Sequence, residues 1–253
     1  MTNAGALTVL HINTERGWRG GERQVYWLAT EMLARGHRTL VAARSGEPLA
    51  RRLSNAGVDV VPVAPFSEFD PFAAARLRRV IRREGVAIVH AHTAHAVALA
   101  ALSAIGTSVR VVVTRRVDFP LRSNLGTRWK YERAHGIIAI SSAIADIMTS
   151  GGIARSRIDI VPSGIDLSRR IEPATAEVLR SIGLPPGARW VVQVGALVPH
   201  KDPVNFVRAT AAARRSVPDL HGVMVGEGPL RQAVEHEIRE LGLGDALHLT
   251  GYR

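Results

Sequence analysis

The 253-residue sequence contains no cysteine, which closes disulfides, zinc–thiolate sites and thiol nucleophiles as explanations of what it does. No apolar run approaches the ~18 residues that a membrane-spanning helix needs. Residues 1–13 carry no basic stretch ahead of an apolar core, and the apolar run from Ala6 to Ile12 is only strand-length. No secretory leader is therefore predicted, and the cytoplasm is the expected compartment. Aromatic residues make up only 5% of the chain and no nucleic-acid recognition motif occurs, so the high pI does not point to nucleic acid. No repeat or low-complexity tract interrupts the sequence. What remains, 46% apolar and 22% charged residues, is the composition of an ordinary globular α/β protein.

Charge is the feature in excess. Lysine plus arginine number 33 against 22 acidic residues, and only Lys130 and Lys201 are lysines. Residues 1–165 hold 22 basic and 12 acidic groups, a net of +10; residues 166–253 hold 11 and 10, a net of +1. The positive field belongs to the first part, where it suits an anionic ligand or a membrane surface.

Short Val/Ile-rich runs alternate with longer amphipathic segments. Strands are predicted at 6–13, 38–43, 58–63, 86–90, 109–114, 136–141 and 158–161, with helices between them at 21–35, 47–56, 71–84, 94–105, 124–134 and 142–150. Near-continuous apolar strands separated by helices indicate a parallel sheet covered on both faces, hence a doubly wound α/β domain over 1–165. Pro-Pro-Gly and a drop in charge mark 166–188 as an interdomain linker containing a short helix at 173–182. Over 189–253 the rhythm restarts as β-α-β-α-β. Three strands and two helices leave one face of a parallel sheet poorly covered, so this second unit is expected to be partial and to expose apolar surface.

Several loops after strand ends carry groups suited to a ligand. Gly20 and Gly21 follow the first strand and open a helix, where backbone N–H groups and the helix dipole favour a phosphate; a tight turn is the plainer explanation. Neither a G-x-G-x-x-G nor a P-loop motif accompanies them. The run His90-Ala91-His92-Thr93-Ala94-His95 has spacing a metal could use. No cysteine or clustered carboxylate joins it, which favours structural histidines or one that touches substrate or moves a proton. Arg115 and Arg116 end the fifth strand as candidate anion contacts. On helix 71–84, Arg76, Arg79 and Arg83 form a basic stripe, with Phe72, Leu77, Val80 and Ile81 assigned to the opposite side. Such a helix can lie on anionic lipid or simply face water. Lys201 and the pair Glu227-Gly228 follow strands of the second unit.

Taken in order, GGERQVYWLATEMLARGH (20–37), VHAHTAH (89–95), IIAISSAI (137–144), IVPSGID (160–166), VGALVPHKD (194–202) and VGEGPLR (225–231) resemble the family 4 retaining glycosyltransferases of GT-B fold. The resemblance implies two Rossmann-like domains, the first for acceptor and the second for a nucleotide-sugar donor. It implies no required metal and no cofactor beyond the nucleotide-sugar as co-substrate. Carried over residue by residue, His92 and Lys201 are the catalytic candidates. Gly20, Gly21, Ser163, Gly164, Lys201, Glu227 and Gly228 are the donor and phosphate contacts, and Arg115 and Arg116 are acceptor-side candidates. Retention implies same-face attack, with the departing phosphate taking the acceptor's proton. Two departures stand out: Ala196 lies where the family often has arginine, and the family's acidic E-x7-E segment is expected after the third strand of the donor domain, past the last of these residues.

The resulting expectation is sugar transfer to an envelope glycolipid or polysaccharide, with peripheral contact at the inner face of the cytoplasmic membrane through the basic first domain. A catalytically incomplete module binding an anionic glycan or lipid, one half of a split transferase, and a related sugar-nucleotide epimerase are the alternatives.

Overall fold

The computed structural model describes residues 5–121, 124–167, 175–185 and 187–253. The chain forms two compact units, 1–166 and 167–253.

In the first unit, β1 (Thr8–Ile12), α1 (Gly20–Ala34), β2 (Arg38–Ala43), α2 (Pro48–Asn55), β3 (Asp59–Pro62), α3 (Pro71–Arg83) and β4 (Ile88–Ala91) alternate along the chain. They are followed by α4 (Ala94–Ala104), β5 (Arg110–Arg115), α5 (Leu125–Glu132), β6 (Gly136–Ala139), α6 (Ser142–Ser150) and β7 (Ile158–Ile160). The strands form one parallel sheet in the order β3-β2-β1-β4-β5-β6-β7, so the chain reverses its direction of winding between β1 and β4. The helices begin where short polar side chains accept backbone N–H groups: Thr93 for α4, Asn124 for α5 and Ser141 for α6. At the end of α1, Gly36 takes φ +83 while His37 N–H reaches back to the carbonyl of Met32, a left-handed stop that a side chain would strain.

Asp70 is the most heavily used cap. Its carboxylate is buried and accepts from the N–H groups of Phe66, Phe72 and Ala73, tying the β3–α3 loop to the start of α3. Asp70→Ala leaves those donors without partners and is expected to cost about 1–3 kcal/mol, read as a lower urea midpoint with an unchanged slope.

One face of the sheet is covered by α3, α4, α5 and α6, whose Leu77, Ile81, Leu99, Tyr131, Ile144 and Met148 share a core with Leu10, Val89, Val111, Val113 and Ile137. On the other face α1 and α2 pack Val25, Ala29, Leu49 and Leu53 over Val41 and Ala43. Beyond α1 this second face opens into a groove of about 790 Å³ floored by Ile88, Val112, Ile138 and Ile140. The α3 assignment needs one correction. Leu77, Val80 and Ile81 are buried, but Phe72 is 79% exposed, because the spacing of 72, 76, 79 and 83 puts it on the same helix face as the three arginines. Phe72 therefore belongs with the solvent-facing Arg76, Arg79 and Arg83.

The second unit contains α7 (Ala176–Ser181), β8 (Arg189–Val194), α8 (Pro203–Arg214), β9 (Leu220–Val225), α9 (Arg231–Glu240) and β10 (Leu247–Gly251). Its three strands are parallel, in the order β10-β9-β8. Val207, Met224, Val234, Ile238 and Leu247 form its core on the α8/α9 side. On the edge strand β8, Trp190, Val191, Val192 and Val194 are all exposed, on both faces of the strand. Residues 168–174 and 186 of the predicted linker, with the first two residues of its short helix, lie outside the described residues. No helix among the described residues is long and apolar enough to cross a membrane.

Candidate functional site

In open parallel sheets, loops at the carboxyl ends of the strands line the ligand crevice, especially where the winding reverses. Here that point lies between β1 and β4. Parallel register sets His11 of β1 directly beside His90 of β4. Two residues on, at the same side-chain parity, His92 follows His90. On β5, Thr114 and then Arg116 repeat that parity, so one sheet face gathers all five side chains at its carboxyl end.

The contacts are specific. His11 Nδ1 lies 2.9 Å from His92 Nε2, Arg116 Nη1 lies 3.1 Å from His92 Nδ1, and His90 Nε2 lies 2.7 Å from Thr114 Oγ1. All three histidines are buried. Burial, then the Arg116 charge, lowers His11 to about 4. Burial and the neighbouring cationic or imidazole groups hold His90 and His92 well below the ordinary imidazole value. The three rings are thus neutral at pH 7. Burial also lowers Arg116 to about 10, opposed by the charge of Glu22 on α1, so the guanidinium stays protonated. Glu22 is itself buried; it accepts from Asn13 Nδ2 at 3.3 Å and from the Arg19 N–H at 2.9 Å.

Three imidazoles whose donor atoms lie within 4.8 Å of one another are a ligand set by proximity. Their outer contacts run the wrong way. A metal-bound imidazole donates its second N–H to an acceptor, whereas His92 Nδ1 faces an arginine, which can only donate. A fixed cation beside the cluster further opposes a second one.

The glycines at the start of α1 stand beside this cluster in the chain. Neither Gly20 nor Gly21 has positive φ, and a Cβ built on either meets nothing within 4 Å. Nothing in their own surroundings requires glycine. On the same helix Gln24 clamps the other predicted segment: its amide donates to the Gly164 carbonyl at 2.7 Å and accepts from the Gly164 N–H at 3.1 Å. Ser163 and Gly164 are thereby held, exposed, against α1. Arg115 does not join the cluster. Strand alternation turns it to the α5 side, where it is buried and donates to the Phe119 carbonyl. Arg115, named beside Arg116 as an acceptor-side candidate, thus faces the loop after β5 and not the histidine cluster.

In the second unit Lys201 is exposed, and its carbonyl accepts from Gln193 Nε2 at 2.9 Å. The next residue, Asp202, takes a left-handed φ of 46 before α8 begins. Glu227 is exposed and paired with Arg231 at 2.9 Å. Gly228 has an internal reason to be glycine, since a Cβ there would lie 2.4 Å from the Leu197 carbonyl oxygen. It lets the loops after β8 and β9 touch backbone to backbone.

The model of Glycosyltransferase Family 4 matches residues 18–169, and that of Glycosyl transferases group 1 matches residues 175–253. The chain belongs to glycosyltransferase family 4. It is 33% identical over 142 residues to the 2-deoxystreptamine glucosyltransferase of Streptomyces kanamyceticus, covering 54% of this chain and 36% of that protein. To the D-inositol 3-phosphate glycosyltransferase of Actinosynnema mirum it is 32% identical over 169 residues, covering 65% and 38%. The chain thus aligns with little more than a third of either relative. The crystal structure of Anabaena HepE in complex with UDP and glucose superposes with a TM-score of 0.83 at 16% identity, over 98% of this chain and 70% of that one. At that identity the likeness establishes the GT-B fold.

Sequence reading had singled out the glycine pair, His92, Arg116 and the Ser163-Gly164 segment. It missed His11, Asn13, Glu22 and Gln24. His11 sits inside a strand with no motif around it, and its partner lies 81 residues away. Glu22 and Gln24 stand within the GGERQ segment, where their polarity on an otherwise core-facing helix was the available signal.

Proposed function

We propose that the chain takes part in sugar transfer from a nucleotide-diphosphate sugar to a hydroxyl of an anionic, polyhydroxylated acceptor. The observation that carries this reading is the opening of α1 in a family 4 chain. Gly20 and Gly21 are free of any internal need for glycine, at a helix N-terminus suited to phosphate. The surplus positive charge of the first unit suits an acceptor phosphate. The inositol phosphate in the name of the Actinosynnema relative has that chemistry.

The acceptor oxygen bonds to the anomeric carbon as the bond to the diphosphate breaks. The electron pair leaves with the phosphate, which takes the acceptor's proton on the same face, so configuration is retained. Lys201 stabilises the charge that grows on the leaving group. The reaction needs no resident metal or cofactor in this reading. The exposed stripe of Phe72, Arg76, Arg79 and Arg83 is the surface through which the first unit meets an anionic inner membrane face.

The test incubates the protein with UDP-glucose and other nucleotide sugars. The acceptors are inositol phosphate, 2-deoxystreptamine and envelope glycolipids. Nucleotide release dependent on inositol phosphate or a phosphate-bearing glycolipid, with a retained anomeric product, supports the reading, whereas turnover confined to the cationic 2-deoxystreptamine overturns the anionic acceptor. Tight acceptor binding without turnover replaces it with the binding-module alternative, and epimerised donor formed without acceptor replaces it with the epimerase.

A further inference from the structure

The histidine cluster contains a chain of proton positions that one residue determines. An arginine side chain has no acceptor, so the 3.1 Å contact between Arg116 Nη1 and His92 Nδ1 has one direction: the guanidinium donates and His92 Nδ1 accepts. A neutral His92 must then carry its proton on Nε2. That nitrogen lies 2.9 Å from His11 Nδ1, so it donates there, and the proton of a neutral His11 is forced onto Nε2. His11 Nε2 is buried and has no hydrogen-bond partner, and the same holds for Arg116 Nε. Both nitrogens of His92 are consumed within the protein. No ring atom of His92 is left to take a proton from a substrate in this arrangement.

We propose that Arg116 is a positioning residue that locks His92 into its Nε2–H tautomer and, through it, His11, so that the crevice at the carboxyl ends of β1 and β4 presents a fixed charge rather than a titrating one. Its importance to turnover rests on the transferase reading above; the proton positions do not. The groups facing the relay are His11 from β1, His90 and His92 from β4, Thr114 and Arg116 from β5, and Glu22 from α1. Of these, Glu22 and Arg116 carry compensating charges, and the imidazoles between them stay neutral. A balance of charge that does not move with pH keeps the field on any ligand in the crevice constant across the physiological range, which a protonating histidine would not. The lock also explains why Arg116 stands two residues beyond Thr114 on the same strand face: shifting the parity by one places the side chain with Arg115, among the α5 contacts.

Nitrogen-detected NMR of the histidine rings tests this without turnover, so its failure is separable from failure of the transferase reading. In the native chain His92 is expected to show a single neutral tautomer, protonated on Nε2, from about pH 5 to 8. Arg116→Met removes the donor, and the His92 signals are expected to become a mixture of tautomers that titrates at higher pH than in the native chain. Arg116→Gln offers His92 Nδ1 both a donor and an acceptor, so it is expected to release the lock as the Met variant does, with a mixture of tautomers and the titration moved upward. In kcat/KM profiles, the Met variant gains an acid limb between about pH 5 and 7 that the native enzyme lacks. A native His92 that titrates near 6.5, or one whose tautomer is unchanged in the Met variant, overturns the proposal. So does a Gln variant that keeps the tautomer and pH profile but loses acceptor affinity, because Arg116 then acts by direct contact. Should the Met variant fail to fold, the native and Gln measurements still decide.

Discussion

Lowering the pH from 7 to 5 is expected to destabilise the first unit by about 2 kcal/mol through His11 alone. The ring is buried between β1 and α1, and burial with the Arg116 charge lowers its pKa to about 4. In the unfolded chain it returns to the ordinary value near 6.5. Between these values the unfolded state binds a proton that the native state refuses. The stabilisation is therefore complete above about pH 6.5, falls as pH drops toward 4, and reaches its floor below that. His90 and His92 shift in the same direction for the same first cause, burial, so they add to the loss in the same window. Most carboxylates do not protonate until below about pH 5, which keeps the two effects apart. Urea unfolding followed at pH 7.5, 6 and 5 should show a steadily falling midpoint with a constant slope. His11→Gln removes one titrating ring, so its midpoint should be lower at pH 7.5 but fall less on acidification. A native midpoint that does not move between pH 7 and 5 is incompatible with three neutral buried rings.

How much of this was legible in sequence depends on the range of the interaction that decides each feature. The strands were visible because a parallel sheet covered on its core faces demands apolar runs such as Val-Arg-Val-Val-Val-Thr at 109–114. Apolar exposure in the second unit was also anticipated, though it lies on both faces of the edge strand β8 and not on one face of the sheet. What escaped was set by register. His11 becomes a partner of His90 and His92 only when β4 is inserted beside β1, a pairing across about eighty residues. Arg115 and Arg116 looked alike as neighbours in a basic pair. Strand alternation then buried the first against α5 and aimed the second at His92, and only the identity of the covering helices decides which face is which. Phe72 was misassigned for a local reason: its apolar side chain suggested the core, whereas its helical phase is that of Arg76, Arg79 and Arg83. Gly228 was placed with ligand contacts, yet its glycine is required by the Leu197 carbonyl, a loop-to-loop contact invisible in either segment.

Gly20 and Gly21 carry the opposite lesson, and it gives the sharpest test of the proposed function. Replacing glycine by alanine where φ is ordinary and space is free normally favours the folded state, by a few tenths to about 1 kcal/mol in a helix. Both conditions hold here, since neither residue has positive φ and a Cβ on either meets nothing within 4 Å. Gly21→Ala is therefore expected to raise the urea midpoint slightly or leave it unchanged. If the open space is where a diphosphate approaches the backbone, the added methyl displaces it from the N–H groups at the start of α1. A misplacement of about 1 Å in a transferring group costs on the order of 100-fold in rate. The expected outcome is a protein that folds at least as well as before and transfers sugar about 100-fold more slowly, with weaker binding of UDP and of the nucleotide sugar. Ala196→Gly, on the second unit, serves as a control for a methyl removed rather than added. Full transfer activity in a stabilised Gly21→Ala protein would show that no ligand backbone contact is made there, and the phosphate reading of the α1 N-terminus would fall with it.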